Sequence, residues 1–134
     1  MGLQEVPPNA SPATGVISGT YDDVTNLLTY SLNFTGLVAP TSAAHFHMAP
    51  PGVAGPVMIG PAGFPLGVTF GAYGNSHVLT ATQETDFLAG LWYFNIHTQV
   101  FPGGEIRGQI NPVPAPGVAA VLGLGGLLAA RRRR

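Results

Sequence analysis

The chain has no cysteine and no lysine, and Arg107 is the only arginine before a run of four at positions 131–134. The lack of cysteine excludes disulfides, thiolate nucleophiles and cysteine-based zinc sites. Residues 1–111 contain six acidic side chains and this one arginine, so their formal charge is −5. Nucleic-acid binding needs clustered Lys or Arg on one face, and we therefore exclude a nucleic-acid partner.

Motifs of a catalytic nucleophile are missing as well. No Gly-x-Ser-x-Gly elbow surrounds a serine, and Gly103-Gly104 lacks the following helix that phosphate binding requires. The six acids are scattered along the chain and do not predict the paired carboxylates of a glycosidase. The sequence therefore favours binding over catalysis, and we predict no catalytic residue.

Glycine and proline are frequent instead, with 19 and 13 copies, and they separate short apolar runs rich in β-branched and aromatic residues. This spacing predicts an all-β sandwich or barrel of short antiparallel strands around one core. One short helix is predicted over 80–90, with Thr82 as its N-terminal cap. Residues 4–15 are predicted to be extended or irregular, and strands are predicted at 16–21, 27–34, 43–48, 57–59, 67–70, 91–98 and 105–110.

The C-terminal segment differs in kind from residues 1–111, which we interpret as the β domain. A proline-rich linker at 112–116 precedes fourteen uncharged apolar or small residues, and Arg131 to Arg134 follow. A helix of fourteen residues is about 21 Å long, against about 30 Å for the hydrocarbon core of a bilayer. We expect a hydrophobic helical tail at 117–134 that contacts the membrane transiently, with its arginines on the cytoplasmic side. At the other end no signal peptide is visible, and we expect a leader to have been removed.

Two histidines at i and i+2 are the sharpest local feature. In a strand, His45 and His47 point to the same face about 6.5–7 Å apart, which lets both imidazoles reach one metal ion. His97 supplies a third nitrogen if its strand is a neighbour of theirs. Three imidazoles without thiolate suit copper or zinc, with copper favoured by intrinsic affinity. The alternative is that these histidines are outward polar residues or hold loops by hydrogen bonds; His77 is interpreted as structural or exposed.

Glu105 and Arg107 stand at i and i+2 on one predicted strand face. We predict a structural ion pair between them, because Arg107 is the only arginine of the β domain and suits a buried or bidentate contact. In this structural role Arg107 is also expected to reach Glu5 or another acid, and recognition of an anion is the alternative.

Three blocks of sequence occur in the β domain: Gln4-Glu5-Val6-Pro7-Pro8, then Ala44-His45-Phe46-His47 with Gly55-Pro56-Val57, and Tyr93 to Thr98 followed by Phe101 to Gln109. Together they resemble the CHRD domain, the module named after chordin, over about residues 3–110. The resemblance implies an immunoglobulin-like or Greek-key β-sandwich or barrel and export from the cytoplasm. Chordin itself binds growth factors, and the resemblance does not carry that partner over to this chain.

The tail has its own resemblance. Val113-Pro114-Ala115-Pro116, the apolar run and the terminal arginines are similar to a PEP-CTERM sorting signal of Gram-negative bacteria, with Ala115 where a glutamate is usual. The resemblance implies processing by the sorting protease, exosortase. It assigns to the signal the residues Pro114, Pro116, Arg131, Arg132, Arg133 and Arg134.

These features lead us to expect an exported domain at the cell surface or in the extracellular, biofilm-type matrix of a Gram-negative bacterium. Its expected role is structural, adhesive or binding, through loop contacts with polysaccharide or protein, and outward Tyr21, Tyr73 and Trp92 would stack on sugars. The first alternative is a copper- or zinc-binding protein with a three-histidine site and superoxide-related redox activity. The second is a subunit that self-associates into filaments, because short strands with low charge can pair edge to edge when lysines are absent.

Overall fold

The structure is a computed structural model that describes residues 1–113, so the predicted sorting signal and tail lie outside the described residues. Within them, the seven strands and one helix confirm the predicted all-β class with one short helix. The elements in chain order are a 3-10 turn at Gly2–Gln4, β1 (Thr14–Asp22), β2 (Leu27–Thr35), β3 (Thr41–Met48), β4 (Val57–Ile59), β5 (Gly71–Val78), α1 (Ala81–Leu88), β6 (Trp92–Thr98) and β7 (Ile106–Gln109).

The turn between β1 and β2 shows how local sequence sets strand pairing. The Asp22 carboxylate accepts hydrogen bonds from the amides of Val24 and Thr25, at 2.9 and 3.0 Å. Asn26 takes a left-handed φ of 56°, a conformation that asparagine tolerates better than most residues. The turn therefore reverses the chain where the sequence predicts it, and β2 pairs antiparallel along the whole of β1.

Two antiparallel sheets enclose the core, with strand orders β1-β2-β5 and β4-β3-β6-β7. Along β2 the buried and exposed residues alternate, so that Tyr30, Leu32 and Phe34 share the inner face as predicted. Phe46 of β3 is fully buried opposite them, with its ring 4.9 Å from that of Tyr30 and 4.8 Å from that of Phe94. Burial of each such aromatic side chain contributes about 1.5–3 kcal/mol to folding.

One predicted strand is misplaced. The strand expected at 67–70 is found at Gly71–Val78, where it pairs antiparallel with β2. This segment has few apolar residues, because its inward positions carry Tyr73, Asn75 and His77 at half-buried sites. Tertiary pairing with β2 therefore decides the strand, and composition alone does not reveal it.

The helix is confirmed, but its cap is Thr80 and not Thr82. The Thr80 hydroxyl accepts from the Gln83 amide at 3.3 Å, and the Gln83 side chain accepts from the Thr80 amide at 3.0 Å. This reciprocal capping box satisfies two amides at the start of the helix. No helix within residues 1–113 is both long and apolar enough to cross a membrane.

β6 is buried along its entire length, on both faces of its sheet. Its inner face carries Trp92, which is fully buried, so the expected stacking of Trp92 on sugars is wrong. Its outer face is covered by the segment 49–56, here called the covering loop, and by the β6–β7 turn (residues 99–105). A covered outer face creates a second, polar interior between the sheet and these loops.

Candidate metal centre

The outer face of the four-stranded sheet carries two rows of polar side chains. His45, Asn95 and Arg107 are directly opposed on β3, β6 and β7, and directly opposed residues point to the same side. The next row is formed by His47 and Tyr93, together with Gln109. His97 lies two residues beyond Asn95 on β6 and therefore joins the same face.

The structure brings the three histidines of the sequence analysis together. One nitrogen each of His45, His47 and His97 lies within 4.8 Å of the other two. Nδ1 of His45 and Nε2 of His97 are 3.0 Å apart. The ring centroids are separated by 4.9 Å for His45 and His97, 5.6 Å for His45 and His47, and 6.0 Å for His47 and His97.

Backbone carbonyls orient two of the rings. Nδ1 of His47 lies 2.9 Å from the Gly55 carbonyl of the covering loop, and Nδ1 of His97 lies 2.9 Å from the Pro102 carbonyl of the β6–β7 turn. A carbonyl oxygen can only accept, so both Nδ1 atoms carry the proton and both Nε2 atoms keep a lone pair. Metal-ligating histidines usually have this second contact, which fixes the tautomer and the ring direction.

Nε2 of His47 is buried and has no hydrogen-bond partner among the described residues. An unpaired buried nitrogen of this kind costs about 1–3 kcal/mol. It belongs to the cluster, because Nδ1 of the same ring is engaged by Gly55. The unpaired lone pair is thus available to a ligand that the protein itself does not supply.

The spacing of the donors is close to that of a coordinated ion. Two nitrogens bound at about 2.0–2.1 Å are about 2.9 Å apart at a right angle and about 3.4 Å apart in a tetrahedron. The 3.0 Å between His45 and His97 fits this range, whereas the limit of 4.8 Å for the whole cluster is slightly wide.

The environment also favours the neutral form of two of the rings, those of His45 and His97. Burial lowers the pKa of His97, helped by the nearby His45 and His47 and opposed in part by the Pro102 carbonyl. Burial, together with the charge of His47 when it is protonated, lowers the pKa of His45. Neutral imidazole is the form that binds metal ions, so burial favours the ligating form of His45 and His97.

Tyr93 and Arg107 extend the site in a way that the sequence did not predict. The ring of Tyr93 is stacked on His47, with centroids 4.9 Å apart and planes at 6°, and Arg107 Cζ lies 3.4 Å from the Tyr93 centroid. The Tyr93 hydroxyl accepts from the Gly55 amide at 3.0 Å. Arg107 donates to the Val53 carbonyl at 2.7 Å, so this stack and the covering loop brace one another. The only signal in the sequence is the period of two that places Tyr93 on the same face as His97.

Glu105 and Arg107 do not pair with each other within residues 1–113, in contrast to the ion pair predicted from their spacing. The fully buried Glu105 carboxylate accepts from the Ser11 hydroxyl and the Val38 amide, both at 2.7 Å, and from the Thr98 hydroxyl at 2.8 Å. The physical reason is that β7 begins at Ile106, so Glu105 belongs to the turn and strand alternation does not apply to it. Arg107 instead donates to Val53, Pro50 and Gln109.

Glu5 is a buried acid that sequence reasoning noted only as a partner for Arg107. Burial raises its pKa from 4.5 to about 7, although the charges of Arg107 and of the N-terminus and the nearby amide of Asn95 act in the opposite direction. Its carboxylate lies against Gly104, whose φ of 133° and lack of a side chain allow this close approach. Glu5 therefore belongs to the polar interior under the loops.

The remaining predicted residues lie elsewhere. His77 is on β5 of the other sheet, where its Nε2 is 3.2 Å from the Tyr30 hydroxyl, so the structure does not bring it to the cluster. Burial lowers its pKa. The predicted sorting-signal residues lie outside the described residues; they are Pro114, Pro116, Arg131, Arg132, Arg133 and Arg134.

Comparison with known protein families shows a match to the CHRD domain over residues 1–110. The match covers both sheets and all three histidines of the cluster. No curated protein shows a significant match to the chain.

Proposed function

The chain belongs to the CHRD domain family, which indicates an extracytoplasmic β domain, and we propose that this domain binds one copper or zinc ion through His45, His47 and His97. The observation that carries the proposal is the buried, unpaired Nε2 of His47 within a cluster of three imidazoles. Histidines that only decorate a surface or fix loops need not converge, and they need not leave a buried nitrogen without a partner.

The two loop carbonyls add support. Because Gly55 and Pro102 each accept a hydrogen bond from Nδ1, the Nε2 atoms of His47 and His97 are directed away from the loops that hold the rings. The contact of His45 with His97 is then the hydrogen bond of the metal-free state. A bound ion would take the place of the proton between these two nitrogens, and this proton would move to Nε2 of His45, so that the ring stays neutral.

Copper is the ion we favour. The donor set has three imidazoles and no thiolate, which suits both Cu²⁺ and Zn²⁺, and intrinsic affinity for nitrogen ligands is higher for Cu²⁺. Redox chemistry at a copper ion, including a superoxide-related reaction, belongs to the same proposal as a consequence of copper binding.

Equilibrium titration of the purified chain with Cu²⁺ and with Zn²⁺ tests this proposal. We expect one tightly bound ion per chain, and at least a tenfold loss of affinity in each of His45→Ala, His47→Ala and His97→Ala. His77→Ala is the matched control, because His77 is half-buried on the other sheet, and it should bind as the wild type does. Unchanged affinity in all three cluster variants would rule out this site.

The location and wider role are part of the proposal. We infer a place at the cell surface or in the extracellular matrix of a Gram-negative bacterium, reached through the tail that resembles an exosortase signal. A chain that binds neither metal would leave the structural or adhesive role, with polysaccharide or protein as partner. Sugar stacking would then fall to Tyr21 and Tyr73, which are half-buried against the core. Self-association into filaments stays a prediction, which light scattering at several concentrations tests.

A further inference from the structure

The donors that surround the proposed ion are few. Among the described residues the cluster contains three nitrogens, and no carboxylate or fourth histidine joins it. Structural zinc sites are closed by four protein ligands, whereas sites that react or exchange ligands have three protein ligands and one open position. Cu²⁺ in a tetragonal field also takes at least four ligands. A site with three imidazoles is therefore incomplete without a ligand from outside the protein.

One of the three rings is partly exposed to solvent. His47 and His97 are buried under the covering loop and the β6–β7 turn, but His45 is only half-buried. The ring of His45 faces the backbone of Gly60, where a side chain would come within 3.7 Å of it. Loops thus cover two of the rings, and the third ring is partly exposed to solvent.

Asn95 supplies an independent observation. It is 2% exposed, and its Oδ1 is buried with no hydrogen-bond partner among the described residues. Its Nδ2 donates to the Gly103 carbonyl at 3.4 Å. Because only the nitrogen of the amide can donate to a carbonyl, the other terminal atom of the side chain is the oxygen. Asn95 is directly opposed to His45 and stands two residues before His97, so an acceptor without a donor lies on the same face as the cluster.

We propose that the ion held by the three histidines keeps a fourth, exchangeable coordination position, occupied by a water molecule that donates a hydrogen bond to Asn95 Oδ1. The inference rests on the proposed metal site and adds its ligand class, which is a small monodentate ligand such as water, hydroxide or a small anion. Exchange at this position replaces one ligand by another and involves no change in the oxidation state of the metal.

Titration of the copper-loaded full chain with azide tests the open position. Azide that enters the coordination sphere of Cu²⁺ gives a new ligand-to-metal absorption band and changes the electron paramagnetic resonance spectrum. We expect both changes to saturate together, at one azide per copper. A chain that binds one copper but shows neither change, even at high azide concentration, would overturn the open position and leave the proposed metal site standing. A chain that binds no copper would overturn both.

Two variants test the role of Asn95. Asn95→Leu removes the acceptor that favours water over azide, so we expect azide to bind about three- to tenfold more tightly, the effect of one hydrogen bond. Asn95→Asp keeps an acceptor and adds negative charge, so azide should bind more weakly than to the wild type. Asn75→Leu, a half-buried asparagine of β5, is the matched control and should not alter azide binding. Copper stoichiometry reports whether each variant is folded, and azide affinity equal to that of the wild type in both Asn95 variants would refute this role.

Discussion

Replacement of Glu5 by glutamine is predicted to remove a pH-dependent part of the folding free energy. The Glu5 side chain is 5% exposed, and its Oε1 has no hydrogen-bond partner among the described residues. Burial raises its pKa to about 7, and the opposing charge of Arg107 only partly offsets this effect. The folded protein therefore holds a proton on Glu5 that the unfolded chain has already released.

The sign follows from the direction of this shift. Because the pKa of Glu5 is higher in the folded state, its contribution to stability is fully present below about pH 4.5 and is lost as the pH rises through about 7. A rise of the pKa from 4.5 to about 7 corresponds to a change in the free energy of unfolding of at most about 3 kcal/mol. Screening by solvent near the N-terminus lowers this free-energy contribution to about 2 kcal/mol. About 1.5 kcal/mol of it is lost between pH 5 and pH 8.

The assay is urea unfolding of the wild type and of Glu5→Gln at pH 5 and at pH 8. We expect the stability of the wild type relative to the variant to fall by about 1.5 kcal/mol between the two pH values. The lowered pKa values of His45, His77 and His97 have the opposite effect, since their contribution to stability is lost as the pH falls below about 6.5. Both proteins contain these histidines, so their effect cancels in the comparison. A stability difference that is the same at both pH values would show that Glu5 is ionised in the folded protein and would refute the reasoning.

Two further predictions concern the helix and the covering loop. Thr80→Ala should destabilise the protein by about 1 kcal/mol, because the capping box is lost. Thr82→Ala, inside the helix, should change stability by a few tenths of a kcal/mol at most. Equal effects of the two substitutions in thermal unfolding would contradict the assignment of Thr80 as the cap. Arg107→Gln removes the hydrogen bonds to Pro50 and Val53 and should increase protease cleavage within the covering loop several-fold, as measured by mass spectrometry of the fragments. Arg107→Lys keeps the charge but not the planar fork, so it should be cleaved almost as fast, and wild-type resistance in both variants would exclude this bracing role.

The sequence predicts best what depends on alternation along a single strand. Tyr30, Leu32 and Phe34 share the inner face, and the two histidines of β3 share the outer face, because a period of two holds in both strands. Convergence with His97 requires in addition that β3 and β6 are neighbours. Nothing in either segment specifies this pairing, so the sequence could offer it only as a condition.

Features that depend on contacts between distant segments could not be predicted from the sequence. β5 is a strand because β2 pairs with it, although its glycines and polar residues do not favour one. The unusual pKa of Glu5 arises where the N-terminal segment meets Gly104, nearly one hundred positions away in sequence. The spacing of Glu105 and Arg107 led to a wrong pairing, because the strand that would align them begins one residue too late.

The few charged side chains of this domain include two that hold the loops over the histidine cluster. Arg107 is the only arginine among residues 1–113, and it holds the covering loop whose Gly55 carbonyl orients His47. Glu105 anchors the end of the β6–β7 turn whose Pro102 carbonyl orients His97. A turn held only by weak backbone contacts would let the rings rotate, and loss of ring orientation typically lowers metal affinity 10- to 100-fold. The two buried charges are therefore best understood as fixing the loops that direct the imidazoles, which explains why they bind to separate partners and not to each other.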